Sequence, residues 1–420
     1  MKVFKFGGAS VKDAKAVKNV KRILDLYPKD NLIVVISAMG KTTNALEELI
    51  ASHINQTDSN QIYHKITLFH AEILNELFPN KTAKIYRDVE QFLQQIKKIL
   101  KEEPTDHYDY IYDQVVSYGE LLSTTIVSAF LNENGIDNNW LDARKLIRTD
   151  NTYREGKIDW STTNKNIKSA LSVSQNSTKT IYVTQGFIGH TAEGLTTTLG
   201  REGSDFTAGI FAYCMDAKDV TIWKDVPGML NADPKWFEDT EKLDEISYKE
   251  AIELAYYGAS VIHPKTIKPL QNKQIPLFVK SFLQPENEGT IIQASNRSDR
   301  LVTSYIFKRK QVLLSISPKD FSFIVEHNLR DIFNTFHEHR VKINLMQNSA
   351  ISFSACAGGD RFRIDALIED LSRSFSVKYN NQVELLTIRH YDQDTIDRLT
   401  EGKEVLVIQR SRQTARIVMK

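Results

Sequence analysis

The chain has 420 residues, with 54 Lys plus Arg against 53 Asp plus Glu and a formal net charge of +1 at pH 7. That length exceeds one ordinary compact core, so two or three domains are expected. The balanced charge, without long runs of one sign, argues against nucleic acid or an anionic membrane surface as a partner.

The two cysteines, Cys214 and Cys356, supply neither a disulfide framework nor a zinc site of the usual spacing. A reducing cytoplasm is the expected location. The opening residues, Met-Lys-Val-Phe-Lys-Phe-Gly-Gly, hold no apolar stretch of signal-peptide length, and apolar runs such as Leu32 to Ile36 are strand-sized.

In chain order, Val3 to Phe6 reads as a buried strand ending at Gly7-Gly8. The apolar positions Val17, Val20, Ile23, Leu24 and Tyr27 then recur at helical spacing. Leu32 to Ile36 is the next strand. From about Asn44 to Ser128 the chain is helical and polar, and this stretch is expected to form a helical lid. Further strands are expected at Thr180 to Thr184, Val220 to Trp223 and Ile275 to Val279. A helix over Tyr248 to Tyr257 has Ser247 and Glu250 to cap it and Gly258 to stop it.

Strands alternating with helices define an α/β fold built on an open, mainly parallel, doubly wound sheet across residues 1 to 292. Residues 293 to 309 turn polar and are expected to be a linker. Residues 310 to 420 are expected to form a smaller α+β module, with strands at Val312 to Ile316 and Lys342 to Met346 and helices at Leu329 to His337 and Ile364 to Phe375.

Lys5, Gly7, Gly8 and Ser10 stand where a strand meets a helix, the place for a ligand in an open α/β sheet. Two glycines let the backbone approach a phosphate, helix-start N–H groups point at it, and Lys5 adds a positive charge. Gly40-Lys41-Thr42 imitates the tail of a P-loop, but Val35 stands where its first glycine belongs, so no such loop is expected. Ser37 and Thr43 nevertheless lie just beyond a strand end, where hydroxyls can line a site.

Ser117-Tyr118-Gly119-Glu120 places a carboxylate at the head of a helical stretch, Leu121 to Phe130. Thr196 to Asp205 packs glycines, hydroxyls, a guanidinium and a carboxylate into ten positions that open a helix. Arg201 there suits an α-carboxylate as a bidentate donor, Asp205 and Glu120 suit an α-ammonium, and Ser204 adds a hydroxyl. Lys224-Asp225-Val226-Pro227-Gly228, the turn around Lys235, and Gly258 to Lys265 have the shape of loops that clasp a nucleotide.

Taken in order, these motifs resemble the aspartokinases of the amino-acid-kinase superfamily, most closely the monofunctional, lysine-sensitive bacterial kind. The specific elements are Lys5 to Ser10, Ser117 to Glu120, Thr197 to Asp205, and the Asp-Val-Pro-Gly and Asp-Pro segments. The resemblance implies an ATP-dependent kinase, using Mg²⁺, that phosphorylates the side-chain carboxylate of L-aspartate. It makes Lys5, Gly8 and Asp205 catalytic and Ser37, Thr43, Glu120, Arg201, Ser204 and Asp205 substrate-binding. Lys5, Gly7, Gly8, Ser10, Lys224, Asp225, Lys235 and Ser260 then surround the nucleotide, and no residue is assigned as a metal ligand.

Glutamate 5-kinase and other members of the superfamily share the Lys-Gly-Gly opening, and a kinase fold kept as a non-catalytic amino-acid sensor is the alternative of a different class. The chain departs from the family pattern at Ala9, Glu202, Lys224 and Ser260. A threonine is usual at 224 and a lysine at 260, so the phosphate-binding cation is expected to have moved to Lys224. The C-terminal module resembles paired ACT regulatory domains with the second one abbreviated, which implies a homodimer through it. Asn344 and Ala350 replace the acidic residues of lysine-sensitive relatives, so weak or absent lysine inhibition is expected.

Overall fold

The structure is a computed structural model and describes residues 1–101, 108–172, 180–259, 262–299, 302–320 and 322–420. The chain divides into two units, each with its own core. The first comprises Met1–Met229, Asp244–Ile252 and Val261–Asn296. The second comprises Leu230–Leu243, Glu253–Ser260 and Arg297–Lys420.

The first unit opens with β1 (Lys2–Phe6), α1 (Ala14–Asp25) and β2 (Leu32–Ile36). Asp13 caps α1 by accepting the Ala16 N–H at 2.7 Å, a bond of the kind worth about 1 kcal/mol. The expected α1 stripe is buried at Val17, Val20, Ile23 and Leu24. Four helices follow: α2 (Thr42–Ile54), α3 (Asn60–Leu77), α4 (Lys84–Ile99) and α5 (Tyr108–Glu133). Next come β3 (Asn139–Leu141), α6 (Trp160–Ser172), β4 (Ile181–Gln185), β5 (Ile188–His190), β6 (Thr196–Thr198) and α7 (Gly203–Cys214). The unit's remaining elements are β7 (Val220–Lys224), β8 (Glu245–Ser247), the start of α8 (Tyr248–Tyr257), α9 (Pro264–Asn272), β9 (Leu277–Ser281) and β10 (Thr290–Gln293).

Eight strands form one sheet in the order β3-β4-β2-β1-β7-β9-β10-β8, parallel except for the β9–β10 pair. Its central strand β2, Leu-Ile-Val-Val-Ile, is buried along its whole length, as a strand covered on both faces must be. Two strands sit later than their hydrophobic runs suggest, at Ile181–Gln185 and Leu277–Ser281. Ser247 caps α8 as expected, its Oγ accepting the Glu250 N–H at 3.0 Å.

One helix corrects the sequence reading. Glu120 does not head a helix but lies in the middle of α5, which runs unbroken through Gly119. The glycine is there for close packing. A Cβ on it would stand 3.0 Å from Ala38 Cβ and 3.3 Å from Leu46 Cδ1.

The second unit contains β11 (Ser304–Pro318), α10 (Glu326–Glu338), β12 (Lys342–Asn348), β13 (Phe353–Gly358), α11 (Arg361–Ser374) and β14 (Phe375–Arg389). It ends with α12 (Gln393–Thr400), β15 (Val405–Arg410) and β16 (Thr414–Met419). β11 begins inside the stretch read as a linker. The strands form an antiparallel sheet in the order β12-β13-β11-β14-β16-β15. Gln409 Nε2 of β15 donates to Met346 O of β12 at 3.2 Å, so the sheet curls until its two edges meet. Ile332, Phe336, Leu367 and Leu371 of α10 and α11 pack on one half of the sheet, and Ile396 of α12 packs on the other. No helix among the described residues is long and apolar enough to cross a membrane.

Candidate active site

Strand alternation sets up the site. Phe4 and Phe6 of β1 face the core that holds α1 and Trp223, so Lys5 between them projects from the opposite face, toward α7. In the β1–β7 register Lys5 stands opposite Ile222. Lys224, two residues further along β7, therefore shares its face.

Both ammonium groups converge on Asp205 in the first turn of α7. Lys5 Nζ lies 2.7 Å from Asp205 Oδ1, and Lys224 Nζ lies 3.6 Å from Asp205 Oδ2. Asp205 is buried, and burial pushes its pKa up, but the two ammonium groups outweigh burial and hold the carboxyl below its usual range.

The β1 end is shaped for close approach of backbone. A Cβ on Gly8 would lie 2.8 Å from both Ala38 O and Gly40 O, and Gly40 N donates to Gly8 O at 3.0 Å. The Gly40-Lys41-Thr42 segment thus buttresses the Gly7-Gly8 turn. Ser10 is buried, with its Oγ donating to Trp223 O at 3.5 Å.

Across from this turn, Glu120 of α5 is buried, and its Oε1 accepts the Ala38 N–H at 3.4 Å. Its Oε2 has no hydrogen-bond partner among the described residues. Burial pushes the Glu120 pKa up to about 8 against the pull of its backbone hydrogen bonds. Asp205 is engaged by two lysines, whereas Glu120, like Glu202, keeps an oxygen without a hydrogen bond among the described residues and has it to offer an ammonium group. Ser37 and Thr43 flank the Ala38 segment and are half-buried.

Ser204 packs against the end of β4, so closely that a Cβ on Gly186 would fall 2.5 Å from Ser204 Cβ. Arg201 is exposed and precedes Glu202, which occupies the left-handed region at φ 54°. Burial raises the Glu202 pKa, with Lys224, Arg201 and Lys5 opposing and Asp205 reinforcing.

Asp225 is exposed beyond the end of β7. Lys235 belongs to the other unit. Ser260 lies outside the described residues.

Asp113 and Gln114 of α5 were not singled out from the sequence, yet both bind β6, the strand leading into Arg201 and Asp205. Asp113 Oδ2 accepts the Thr198 N–H at 2.9 Å. Gln114 Nε2 donates to Thr196 O at 2.8 Å. The available signal was spacing, since Asp113 and Glu120 are seven residues, or two turns, apart on one helix.

The sequence profile of the amino acid kinase family matches residues 1–281. Lysine-sensitive aspartokinase 3 of Escherichia coli (strain K12) is 30% identical over 397 residues, covering 92% of this chain and 86% of that protein. The aspartokinase of Chlamydia pneumoniae is 30% identical over 404 residues, covering 92% and 84%. The crystal structure of E. coli aspartokinase III in complex with aspartate and ADP (R-state) is similar with a TM-score of 0.83 and 27% identity, covering 100% of this chain and 96% of that one. The chain belongs to the amino acid kinase family and, within it, to the aspartokinases.

Proposed function

We propose that the chain transfers the γ-phosphoryl group of ATP to the β-carboxylate of L-aspartate, giving 4-phospho-L-aspartate, the entry reaction to lysine, threonine and methionine synthesis. The observation that carries this is the convergence of Lys5 and Lys224 on Asp205 at the carboxyl ends of β1 and β7, where an open α/β sheet binds its ligands.

The attacking β-carboxylate is ionised near neutral pH, so no side-chain base is needed, and catalysis reduces to alignment and charge neutralisation. Lys5 meets the charge that develops on the transferring group, and Asp205 holds the Lys5 and Lys224 ammonium groups in place. Gly7, Gly8 and Ser10 border the phosphates. Glu120 takes the aspartate ammonium, Arg201 its α-carboxylate, and Ser37, Thr43 and Ser204 complete the pocket. Asp225, Lys235 and Ser260 are assigned to the nucleotide by resemblance.

No group of three His, Cys, Asp or Glu among the described residues is placed to hold a metal ion on its own. Mg²⁺ keeps water and phosphate as most of its ligands, and Glu202, whose Oε2 has no hydrogen-bond partner among the described residues, would be a carboxylate at hand for it. When bound with ATP, the ion neutralises phosphate charge.

In the second unit the long strands β11 and β14 serve two halves, one with α10 and α11 and one with α12 alone. This supports a pair of ACT-like regulatory units, the second abbreviated; a homodimer through them rests on analogy with paired ACT modules alone. Trapping the acyl phosphate with hydroxylamine tests the reaction. A hydroxamate signal with aspartate and none with glutamate is expected; no signal with aspartate would leave the sensor alternative.

A further inference from the structure

β6 pairs with β5 on one edge only, and the two strands form a ribbon of their own. Side chains of α5 take the place of a third strand on the other edge. Gln114 bonds both backbone groups of Thr196, donating to its O at 2.8 Å and accepting its N–H at 3.2 Å. Asp113 accepts the Thr198 N–H at 2.9 Å on Oδ2 and the Thr198 hydroxyl at 2.7 Å on Oδ1.

Asp113 Oδ2 also accepts the Arg154 N–H at 2.9 Å. Arg154 sits in the left-handed region at φ 65°, and the loop it belongs to sends the Gly156 N–H to Thr198 O at 2.9 Å. That loop forms the wall behind Gly200, where a Cβ would lie 3.1 Å from Arg154 O. One fully buried carboxylate therefore anchors both the strand that leads into Gly200-Arg201 and the loop that backs it. Two turns further along the same helix stands Glu120.

Resting on the functional reading above, we propose that Asp113 is a positioning residue of the amino-acid subsite. In its ionised form it fixes the segment carrying Arg201 at a set distance from Glu120, so that a substrate's α-carboxylate and ammonium are met together. All three bonds to Asp113 come from donors, which a carboxylate accepts and a protonated acid or an amide meets with a donor of its own.

Burial lifts the Asp113 pKa to about 6, against the three hydrogen bonds and the Arg154 charge. The charged and titratable groups around this cluster include Arg154 and Tyr153 of the loop, Tyr108, Asp109, Tyr110 and Tyr112 of α5, Glu47 of α2, and Glu193 before β6. Arg154 stacks on Tyr112 at 4.2 Å and pairs with Glu47 at 3.4 Å and Asp109 at 3.5 Å. Glu120, on the same helix, pairs with the substrate ammonium in the functional reading once aspartate is saturating, and Glu202, whose pKa burial also raises, is present in wild type and variant alike, so the difference between their kcat profiles reads Asp113.

The test compares the full-length wild type with Asp113→Asn by hydroxamate assay between pH 5 and 8, with circular dichroism to check folding. The wild-type kcat is expected to fall about tenfold per pH unit below about pH 6, as for any group required in its ionised form. Asp113→Asn is expected to lose that acid limb and to raise the KM for aspartate by about tenfold or more, the scale of one unsatisfied buried donor, with the KM for ATP within about twofold. A folded Asp113→Asn with wild-type KM for aspartate and an unchanged acid limb would overturn the assignment.

Should Asp113→Asn not fold, Thr198→Val decides. It removes only the hydroxyl bond, and an unchanged KM for aspartate would count against the clamp, whereas a rise of about threefold supports it. A wild type that makes no acyl phosphate from aspartate overturns the functional reading itself, an outcome distinct from an unaffected variant.

Discussion

Lys5 and Asp205, 200 positions apart in the chain, meet as a buried ion pair at 2.7 Å on one face of the parallel sheet. Removing either partner leaves the other charge buried without its main counterpart, and such changes are costly. Lys5→Ala is expected to lower kcat by about 10²-fold or more, the scale for losing one preorganised donor at a developing charge. Initial rates at saturating substrates check this, and near-wild-type turnover would remove Lys5 from the mechanism.

Lys224 shares Asp205 from the β7 end, and the proposal is that it supplies the positive charge expected at position 260. Lys224→Ala is expected to raise the KM for ATP by about tenfold, in line with a lost charge-assisted phosphate contact. The KM for aspartate should move much less. An unchanged KM for ATP would reject the relocation of this cation.

With Glu120 taking the aspartate ammonium as proposed, substrate binding is expected to depend on pH. In the empty site its pKa is pushed up to about 8 by burial, so near neutral pH most molecules carry it protonated, while the aspartate ammonium favours the ionised form. Binding therefore releases a proton, and the KM for aspartate should fall as pH rises from about 6.5 toward 8 and level off above. Calorimetry in buffers of different ionisation enthalpy reads the proton directly. Glu120→Gln should abolish both effects while weakening binding.

His70 on α3 is fully buried, with Nδ1 2.8 Å from Ile66 O and Nε2 without a hydrogen-bond partner among the described residues. Burial lowers its pKa to about 4, below the unfolded value near 6.5. The unfolded chain then binds the proton first, so stability is fully present above about pH 6.5. It declines as pH falls toward 4 and changes no further below that. Two and a half pH units correspond to about 3 kcal/mol. Denaturant titrations of wild type and His70→Leu across this window should show a flatter profile for the variant.

Lysine is expected to be a weak inhibitor or none. Asn344 Oδ1 accepts from Lys308 Nζ at 3.0 Å, and Asn344 Nδ2 donates to Gln311 Oε1 at 2.7 Å. Arg416 donates to the Asn344 carbonyl. Burial, Lys342 and Arg416 together push the Lys308 pKa down to about 8, so a second ammonium arriving here meets positive charge. An inhibition constant for lysine within its cellular range would refute this.

Much of the first unit was legible because its signals are local. Five apolar residues in a row at Leu32 to Ile36 leave little choice but a covered strand, and the 3.6-residue stripe after Asp13 marks α1. Glu120 reads as the head of a helix because the clear apolar stretch starts at Leu121, whereas α5 runs on through Gly119, a small residue required by Ala38 and Leu46. Beyond its two-turn spacing from Glu120, nothing local marks Asp113, because Thr198, which it holds, lies 85 positions away. β11 was read only over Val312 to Ile316, since Lys308-Arg309-Lys310 hides its alternation. That basic run is a bulge in the pairing with β14, with Lys310 in the left-handed region at φ 54°.

β11 and β14, fifteen residues each, run side by side through both halves of the C-terminal unit. Neither half owns a complete set of strands, so cutting between them would sever two backbones rather than one tether. The halves should melt in a single step, and a tilt imposed on these strands at one end arrives at the other without any joint to absorb it.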